Sequence, residues 1–439
     1  VTLRVTVIGT GYLGAVHAAC LADLGFEVLG VDTDTAKVAA LASGAAPFYE
    51  PGLDEVLGRA LGSGRLRFTT SFQEAADFGD VHFLCVGTPQ KRGSHAADMT
   101  HVDAALDSLA RELTRPCLVV GKSTVPVGTA ERLAARLAEL APVGGGAELA
   151  WNPEFLREGF AVQDTVAPDR LVIGVRSERA EATLREVYAT QLDNGVPLVV
   201  TDFATAELVK VAANSFLATK ISFINAMAEI CDAAGADVAQ LAEAIGHDER
   251  IGKQFLRAGL GFGGGCLPKD IRAFIARAGE LGVGESLTFL REVDEVNLRR
   301  RRRTVDIARE LAGGDVLGVK IACLGAAFKP DSDDVRDSPA LHVASALQVE
   351  GADVHVYDPK AMANAHRQFP TLSLAASAAE AVADAQVVLL LTEWKEFREL
   401  DPTELRTVVA QPRIIDARNA LDPVRWRAAG WTYRGLGRP

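Results

Sequence analysis

No apolar stretch in the sequence is long enough to span a bilayer, and none of its six cysteines forms a CxxC pair. The first absence excludes a helical membrane protein, and the second excludes a zinc ribbon or a dithiol redox site. Cys20, Cys85, Cys117, Cys231 and Cys323 lie inside apolar helix or strand patterns and read as core. No metal site is expected. There is no excess of basic charge either, since the formal net charge is −12, which argues against nucleic acid as a partner. One basic run, Arg299 to Arg303, interrupts the acidic chain and reads as a solvated helix end. No secretory apolar region precedes the strand pattern at residues 3–8, so a reduced, cytoplasmic enzyme is expected.

What is present is ordinary globular material: 439 residues, 48% hydrophobic and 24% charged, enough for two or three domains. Residues 3–8 form a β-branched run that enters Gly9-Thr-Gly11-Tyr12-Leu13-Gly14, followed by a helical pattern to about Leu24. A second strand pattern, Glu27 to Val31, ends on Asp32, 18 residues after Gly14. A bare G-x-G-x-x-G says little. Between a strand and a helix, with an acid at that distance, it is a dinucleotide-binding signature. The glycines allow a tight turn, close approach of pyrophosphate and close helix packing, and the helix N-terminus favours phosphate. Asp32 would accept hydrogen bonds from a ribose diol and repel a 2′-phosphate, which favours NAD over NADP, with Lys37 as a nearby cation.

Further strand patterns end in polar or glycine-containing loops. Val81–Val86 leads to Thr88, Cys117–Val120 leads to the loop Gly121–Gly128 with Thr124, and Glu148–Trp151 leads to Glu154 and Glu158. In an open α/β sheet such loops build the ligand crevice, so these four residues are candidates to touch cofactor or substrate. From about Thr201 the period changes. Residues 203–234 read as one helix, apolar nearly all round, with Lys210, Asn214, Ser222, Asn225 and Glu229 as a polar stripe and Gly235 as its stop. A helix of that kind is expected to be buried, here in a subunit interface. Lys210 and Asn214, at i and i+4, can point together into a site.

The chain then reaches Gly259-Leu-Gly-Phe-Gly-Gly-Gly-Cys266-Leu-Pro-Lys269-Asp270, with five glycines in seven residues. Such a stretch removes side-chain bulk and lets a ligand lie against the backbone. A helix is expected from Pro268, which places the sulfur of Cys266 at its positive end beside Lys269, with Asp270 one turn on. Both influences favour the thiolate, so Cys266 is read as a nucleophile. The competing reading is a buried structural cysteine. A third unit opens at Val319–Leu324 and enters Gly325-Ala-Ala-Phe-Lys329 with only one of three fingerprint glycines. It should hold a nucleotide differently, through the cations Lys329, Arg336 and Arg418.

The sequence therefore predicts an α/β protein: two Rossmann-like domains joined by a long central helix and a helical dimerisation domain. The divisions are residues 1–200, 201–300 and 315–439. Gly9–Gly14, Tyr49-Glu-Pro-Gly-Leu53, Gly121–Gly128, Asn152–Gly159, Gly261–Asp270 and Gly325–Lys329, in this order over nearly the whole chain, resemble the UDP-glucose/GDP-mannose dehydrogenase family. The resemblance implies an NAD-linked four-electron oxidation of a sugar-nucleotide C6 alcohol to a carboxylate by a homodimer joined through the central helix. By the same resemblance Cys266 is the nucleophile, Lys210 and Asn214 stabilise oxygen charge, and Asp270, Thr124 and Glu154 orient or deprotonate water. Gly9, Gly11, Tyr12, Leu13, Gly14, Asp32, Lys37, Thr88, Thr124, Glu158 and Lys269 are implied at the cofactor. Glu154, Phe155, Leu156, Lys210, Asn214, Phe255, Arg257, Phe262 and Gly263 are implied at the sugar nucleotide, Lys329 and Arg336 at its phosphates and Arg418 on the sugar side. Arg250 matches an arginine that reaches the substrate from a neighbouring subunit. Leu13 stands where valine is usual, Gly265 where serine is common, and Leu267 where phenylalanine is frequent in part of the family.

Overall fold

Residues 3–438 are described by a computed structural model. The chain forms two compact units, one of residues up to Ala213 with Arg272–Gly282, the other of Asn214–Ile271 with the residues from Val283 onward.

The first unit is built on strands β1 (Arg4–Ile8), β2 (Glu27–Val31), β3 (Leu66–Thr69), β4 (Val81–Leu84), β5 (Cys117–Gly121), β6 (Ala147–Trp151), β7 (Leu171–Gly174) and β8 (Leu198–Thr201). They make one sheet in the order β3-β2-β1-β4-β5-β6-β7-β8, parallel except where β6 meets β7. The central strands are covered on both sides, which is why they read as unbroken apolar runs. Val7 and Phe83 pack on one face with Val16 and Leu21, and Ile8 and Val119 pack on the other with Leu29 and Leu106. The order reverses between β1 and β4, and the crevice at such a reversal lies beyond the carboxyl ends of the strands.

The second unit carries β9 (Lys320–Leu324), β10 (Asp353–Tyr357), β11 (Ser373–Leu374), β12 (Val387–Leu390), β13 (Arg413–Asp416) and β14 (Thr432–Gly435). Their order is β11-β10-β9-β12-β13-β14, all parallel. The helix Pro339–Val349 begins as its sequence suggests, with Ser338 capping the Leu341 amide and proline in the first turn.

The long helix runs from Phe203 to Ala234 and stops at Gly235, whose φ is +70°. Asn214, Ser222 and Asn225 are buried on one face. On the opposite face Phe216, Phe223 and Ile230, spaced by seven, are 68%, 50% and 58% exposed. The single chain thus leaves uncovered an apolar stripe that a helix hydrophobic all round was expected to bury.

The expectation for the arginine run is overturned. Arg299–Arg303 lies in the middle of the helix Thr288–Ala312, with Arg300 fully buried and Arg301 nearly so. Arg300 donates through Nε to the Gly259 carbonyl at 3.1 Å, and Arg301 pairs with Asp337 at 2.7 Å. A long apolar stem with a planar donor fork can cross a core and end on carbonyls, which a count of charges does not reveal.

Candidate active site

In the first unit, the dinucleotide fingerprint has the geometry its glycines require. Gly9 sits at φ +88°, and a Cβ on Gly14 would lie 1.8 Å from the Gly9 carbonyl oxygen. Nothing lies within 4 Å of where a Cβ on Gly11 would be, so the backbone there is open to a ligand. The helix Tyr12–Asp23 begins with no side-chain cap, leaving its first amides to an anion. Asp32 accepts from the Thr10 amide at 2.8 Å and from Lys37 Nζ at 2.8 Å. Burial raises its carboxyl's pKa, but Lys37 and the backbone amides of Asp34 and Thr10 more than reverse this and hold it below the usual carboxylate range. Lys37 is thereby engaged by the acid that would meet the ribose. These features fit a bound NAD.

The loops after β4, β5 and β6 are tied together. Thr88 donates to the Thr124 carbonyl at 2.8 Å. Glu207, on the long helix, accepts from the amides of Gly128 at 2.7 Å and Ala130 at 2.6 Å, fixing the loop that carries Thr124. One turn on, Lys210 is nearly buried and lies 5.4 Å from the centre of the Phe155 ring. Glu154 is held at both oxygens. Oε1 accepts from the amides of Phe155 at 2.6 Å and Leu156 at 2.8 Å, and Oε2 pairs with Lys122 at 3.0 Å. Glu50, from the Tyr49–Leu53 motif, bonds the Tyr12 hydroxyl and accepts from Gly159 and Ala161, each at 2.7 Å. It thus links the fingerprint to the loop bearing half-buried Glu158.

In the second unit, Cys266 is exposed while the other five cysteines are buried. It directly precedes the helix Leu267–Glu280, and the Asp270 amide closes the first turn on its carbonyl at 2.9 Å. The sulfur therefore stands in the positive field of a helix N-terminus. Asp270 is 2% exposed and held at both oxygens, by Asn214 Nδ2 at 2.7 Å and by Lys269 Nζ at 2.5 Å. Cys266 and the Asn214–Asp270–Lys269 chain are therefore brought together at one helix start.

The glycines before Cys266 answer first to packing within the protein. A Cβ on Gly259 would lie 2.7 Å from the Ala417 carbonyl, and one on Gly263 2.3 Å from the Asp337 carbonyl. Gly264 faces the Phe328 ring, and Gly265 lies against the Arg336 guanidinium. At Gly265 only the tip of a flexible side chain stands in the way, so a serine there would need Arg336 to move a little.

Asn297, which the sequence gave no reason to single out, pairs with both backbone groups of Phe262. Its Oδ1 accepts from the amide at 2.8 Å, and its Nδ2 donates to the carbonyl at 2.9 Å. Asn225 accepts from the Gly259 amide at 2.8 Å. Asn225 lies on the polar stripe of a helix read as buried, but nothing in the local pattern separates Asn297 from a solvated amide.

Among the remaining candidates, Arg250 is highly exposed and paired with Asp248, and Arg257 is exposed. Phe255 is exposed at φ +64°, an uncommon left-handed position for a residue other than glycine. Lys329 lies 5.5 Å from the Phe328 ring, and Arg336 is held by Asp334 at 2.7 Å. The Arg418 guanidinium donates to the carbonyls of Leu391, Gly261 and Phe328, so it braces the glycine loop. Asp358, at the position in the second sheet matching Asp32, is buried and accepts from Ala326, Ala327, Lys360, Ala361 and Trp394. It has no capacity left for a ribose. Among the described residues no cluster of His, Cys, Asp and Glu could hold a metal ion, and no helix is long and apolar enough to cross a membrane.

Known proteins give the same picture. Over its full length the chain is 43% identical to a UDP-glucose 6-dehydrogenase of Rhizobium meliloti (strain 1021), also covering 100% of that protein. It is 41% identical to a UDP-glucose 6-dehydrogenase of Pseudomonas aeruginosa, with 100% of this chain and 98% of the relative covered. Among solved structures, a UDP-glucose dehydrogenase from the hyperthermophilic archaeon Pyrobaculum islandicum matches with TM-score 0.92 and 39% identity, covering 100% and 98% of the two chains. A UDP-D-ManNAc dehydrogenase from Pyrococcus horikoshii matches with TM-score 0.86 and 27% identity, covering 99% of each. Residues 3–192, 204–299 and 322–423 match the NAD binding, central and UDP binding domains of one family. With a fingerprint that fits NAD and an exposed cysteine on a helix start, this chain is an NAD-binding oxidoreductase and belongs to the UDP-glucose/GDP-mannose dehydrogenase family.

Proposed function

We propose that the protein oxidises the C6 alcohol of UDP-glucose to a carboxylate, yielding UDP-glucuronate. The observation that carries this reading is Cys266, exposed at a helix start one turn from Asp270, in a chain similar throughout to UDP-glucose 6-dehydrogenases. When bound, NAD supplies the hydride acceptor, once for the alcohol and once for the sulfur adduct. The thiolate of Cys266 adds to the C6 aldehyde, forming a C–S bond while the carbonyl oxygen gains a proton to give a thiohemiacetal. The thioester derived from it is cleaved by water, which breaks the C–S bond, returns the sulfur and leaves a carboxylate. Lys210 and Asn214 stabilise negative charge on oxygen in these species. Thr124, Glu154 and Asp270 orient or deprotonate water.

Cofactor contacts are assigned to Gly9, Gly11, Tyr12, Leu13, Gly14, Asp32, Lys37, Thr88, Thr124, Glu158 and Lys269. Substrate contacts are assigned to Phe155, Leu156, Phe255, Arg257, Phe262 and Gly263, with Lys329 and Arg336 on the phosphates and Arg418 on the sugar side. The protein works in the cytoplasm as a homodimer. The exposed stripe Phe216–Phe223–Ile230 on the long helix is the support for that interface, and Arg250 reaches the neighbouring subunit's substrate.

The test is NADH counted per sugar nucleotide over UDP-glucose, dTDP-glucose, GDP-mannose and UDP-N-acetylhexosamines. Two NADH per UDP-glucose are expected, with UDP-glucose preferred. One NADH would reject the four-electron course, and preference for another sugar nucleotide would reject the substrate. Cys266→Ser should stall turnover, because an alkoxide of ordinary pKa is a poor nucleophile near neutrality.

A further inference from the structure

Lys122 follows β5 directly and is 4% exposed, with its ammonium inside the first unit. Nζ lies 3.0 Å from Glu154 Oε2, 3.0 Å from Asn152 Oδ1 and 3.5 Å from the Tyr188 hydroxyl, and 5.9 Å from the ring centres of Phe83 and Tyr188. Its other titratable neighbours, His17 and Cys85, are buried and neutral, so among the described residues Glu154 is the anion facing it. Taking an ammonium out of water is costly unless an opposite charge and good acceptors receive it. Both are present. Burial lowers the affinity of Lys122 for its proton, but Glu154, then Tyr188 and Cys85, outweigh that, and the group stays charged.

Glu154 is equally constrained. Two amides hold Oε1 and Lys122 holds Oε2, so neither rotation about its terminal torsion nor withdrawal from the loop is possible without breaking a charge-assisted bond. The amides come from Phe155 and Leu156, the residues next in sequence, and these alone would let the carboxylate swing with its loop. The anchor to the sheet is Lys122.

We propose that Lys122 is a positioning residue that acts through Glu154, fixing the carboxylate in the one orientation from which it addresses water. This rests on the role assigned above to Glu154. A catalytic group misplaced by about 1 Å can lose two orders of magnitude in rate. Lys122→Met keeps the stem and removes the charge. It should lower kcat at least tenfold, with KM for NAD and UDP-glucose within twofold of the parent.

The decisive comparison is a double-mutant cycle. Glu154→Gln should lower kcat, and Lys122→Met with Glu154→Gln should fall no further than Glu154→Gln alone, within threefold. Losses that multiply would make Lys122 an independent structural residue and overturn the proposal. Full activity of Glu154→Gln would instead reject the role of Glu154 itself. Tyr188→Phe, which removes a hydroxyl from Lys122 without touching Glu154, should keep kcat within twofold, and a tenfold loss would overturn the proposal by placing the effect in the polar cluster at large. Should Lys122→Met fail to fold, Glu154→Asp carries the test, since its carboxylate is one carbon short of the ammonium. It should lose kcat as Glu154→Gln does, and retention of more than half the parent kcat would overturn the proposal.

Discussion

Replacing Asn297 by alanine should loosen the loop that presents Cys266. The Asn297 side chain is fully buried, and its hydrogen-bond partners among the described residues are the amide and carbonyl of Phe262, at 2.8 and 2.9 Å. Alanine leaves the Phe262 amide unpaired in a dry interior, at about 1 to 3 kcal/mol, while the carbonyl keeps a 3.4 Å contact from the Arg301 guanidinium and loses about 0.5 to 1.5 kcal/mol. The sum is about 1.5 to 4.5 kcal/mol, centred near 3, and at about 1.4 kcal/mol per tenfold this is roughly two orders of magnitude in the opening equilibrium. The assay is hydrogen exchange, read by mass spectrometry over a peptide spanning 258–266, with turnover measured in parallel. Exchange should speed up by about a hundredfold or more in that peptide while peptides from the first sheet hold their rates. Asn297→Asp should fall between, since it keeps the acceptor for the Phe262 amide and sets an oxygen against the carbonyl. Loop exchange within tenfold of the parent in Asn297→Ala would show that the pairing seen here does not hold the loop.

Three further outcomes are expected. His82 is buried and pushed down by that burial to about 3 from 6.5, so the unfolded chain binds a proton that the folded one refuses between those values. Stability is therefore full above pH 6.5 and lost at about 1.4 kcal/mol per unit as pH falls towards 3. Thermal melts of the parent should lose about 2 kcal/mol more between pH 7 and pH 5 than melts of His82→Gln, and parallel curves would refute this. Asp32→Ala should weaken NAD binding in calorimetry by tenfold or more while leaving binding of the sugar nucleotide unchanged, and unchanged NAD affinity would remove its ribose role. Phe216→Glu with Phe223→Glu should shift the protein to a monomer in sedimentation, and an unaltered mass would mean the stripe is not the interface.

The secondary structure was largely legible because each segment obeys one dominant period. β2 spans Glu27–Val31 as its pattern indicated, and the long helix spans the residues its pattern indicated, up to a glycine that adopts a positive φ. The helix start beside Cys266 could be found because proline and a run of glycines locate it without any tertiary information. The partners of polar side chains were not legible. Arg300 and Arg303 are three apart in one run, yet the first is buried on a carbonyl and the second pairs with Glu310 near solvent. Local composition is the same for both, and only the packing of the helix decides between them. The glycines of the cysteine loop show the same limit. Their small size suggests room for a ligand, whereas the atoms that need the room at Gly259, Gly263 and Gly264 belong to the protein itself.

The buried carboxylate of Asp358 has an evolutionary and engineering consequence. Both sheets run their central strands in the same sequence, so the second one looks convertible: insert two glycines after β9 and a dinucleotide cleft should appear. Five donors already converge on Asp358, three on Oδ2 and two on Oδ1, and they stitch the turns after β9, β10 and β12 to one another. Turning that acid outward to greet an adenosine would unpick three turns at once. The two halves share a blueprint but are not interchangeable, and a graft aimed at a second coenzyme pocket would have to rebuild this knot before altering any glycine.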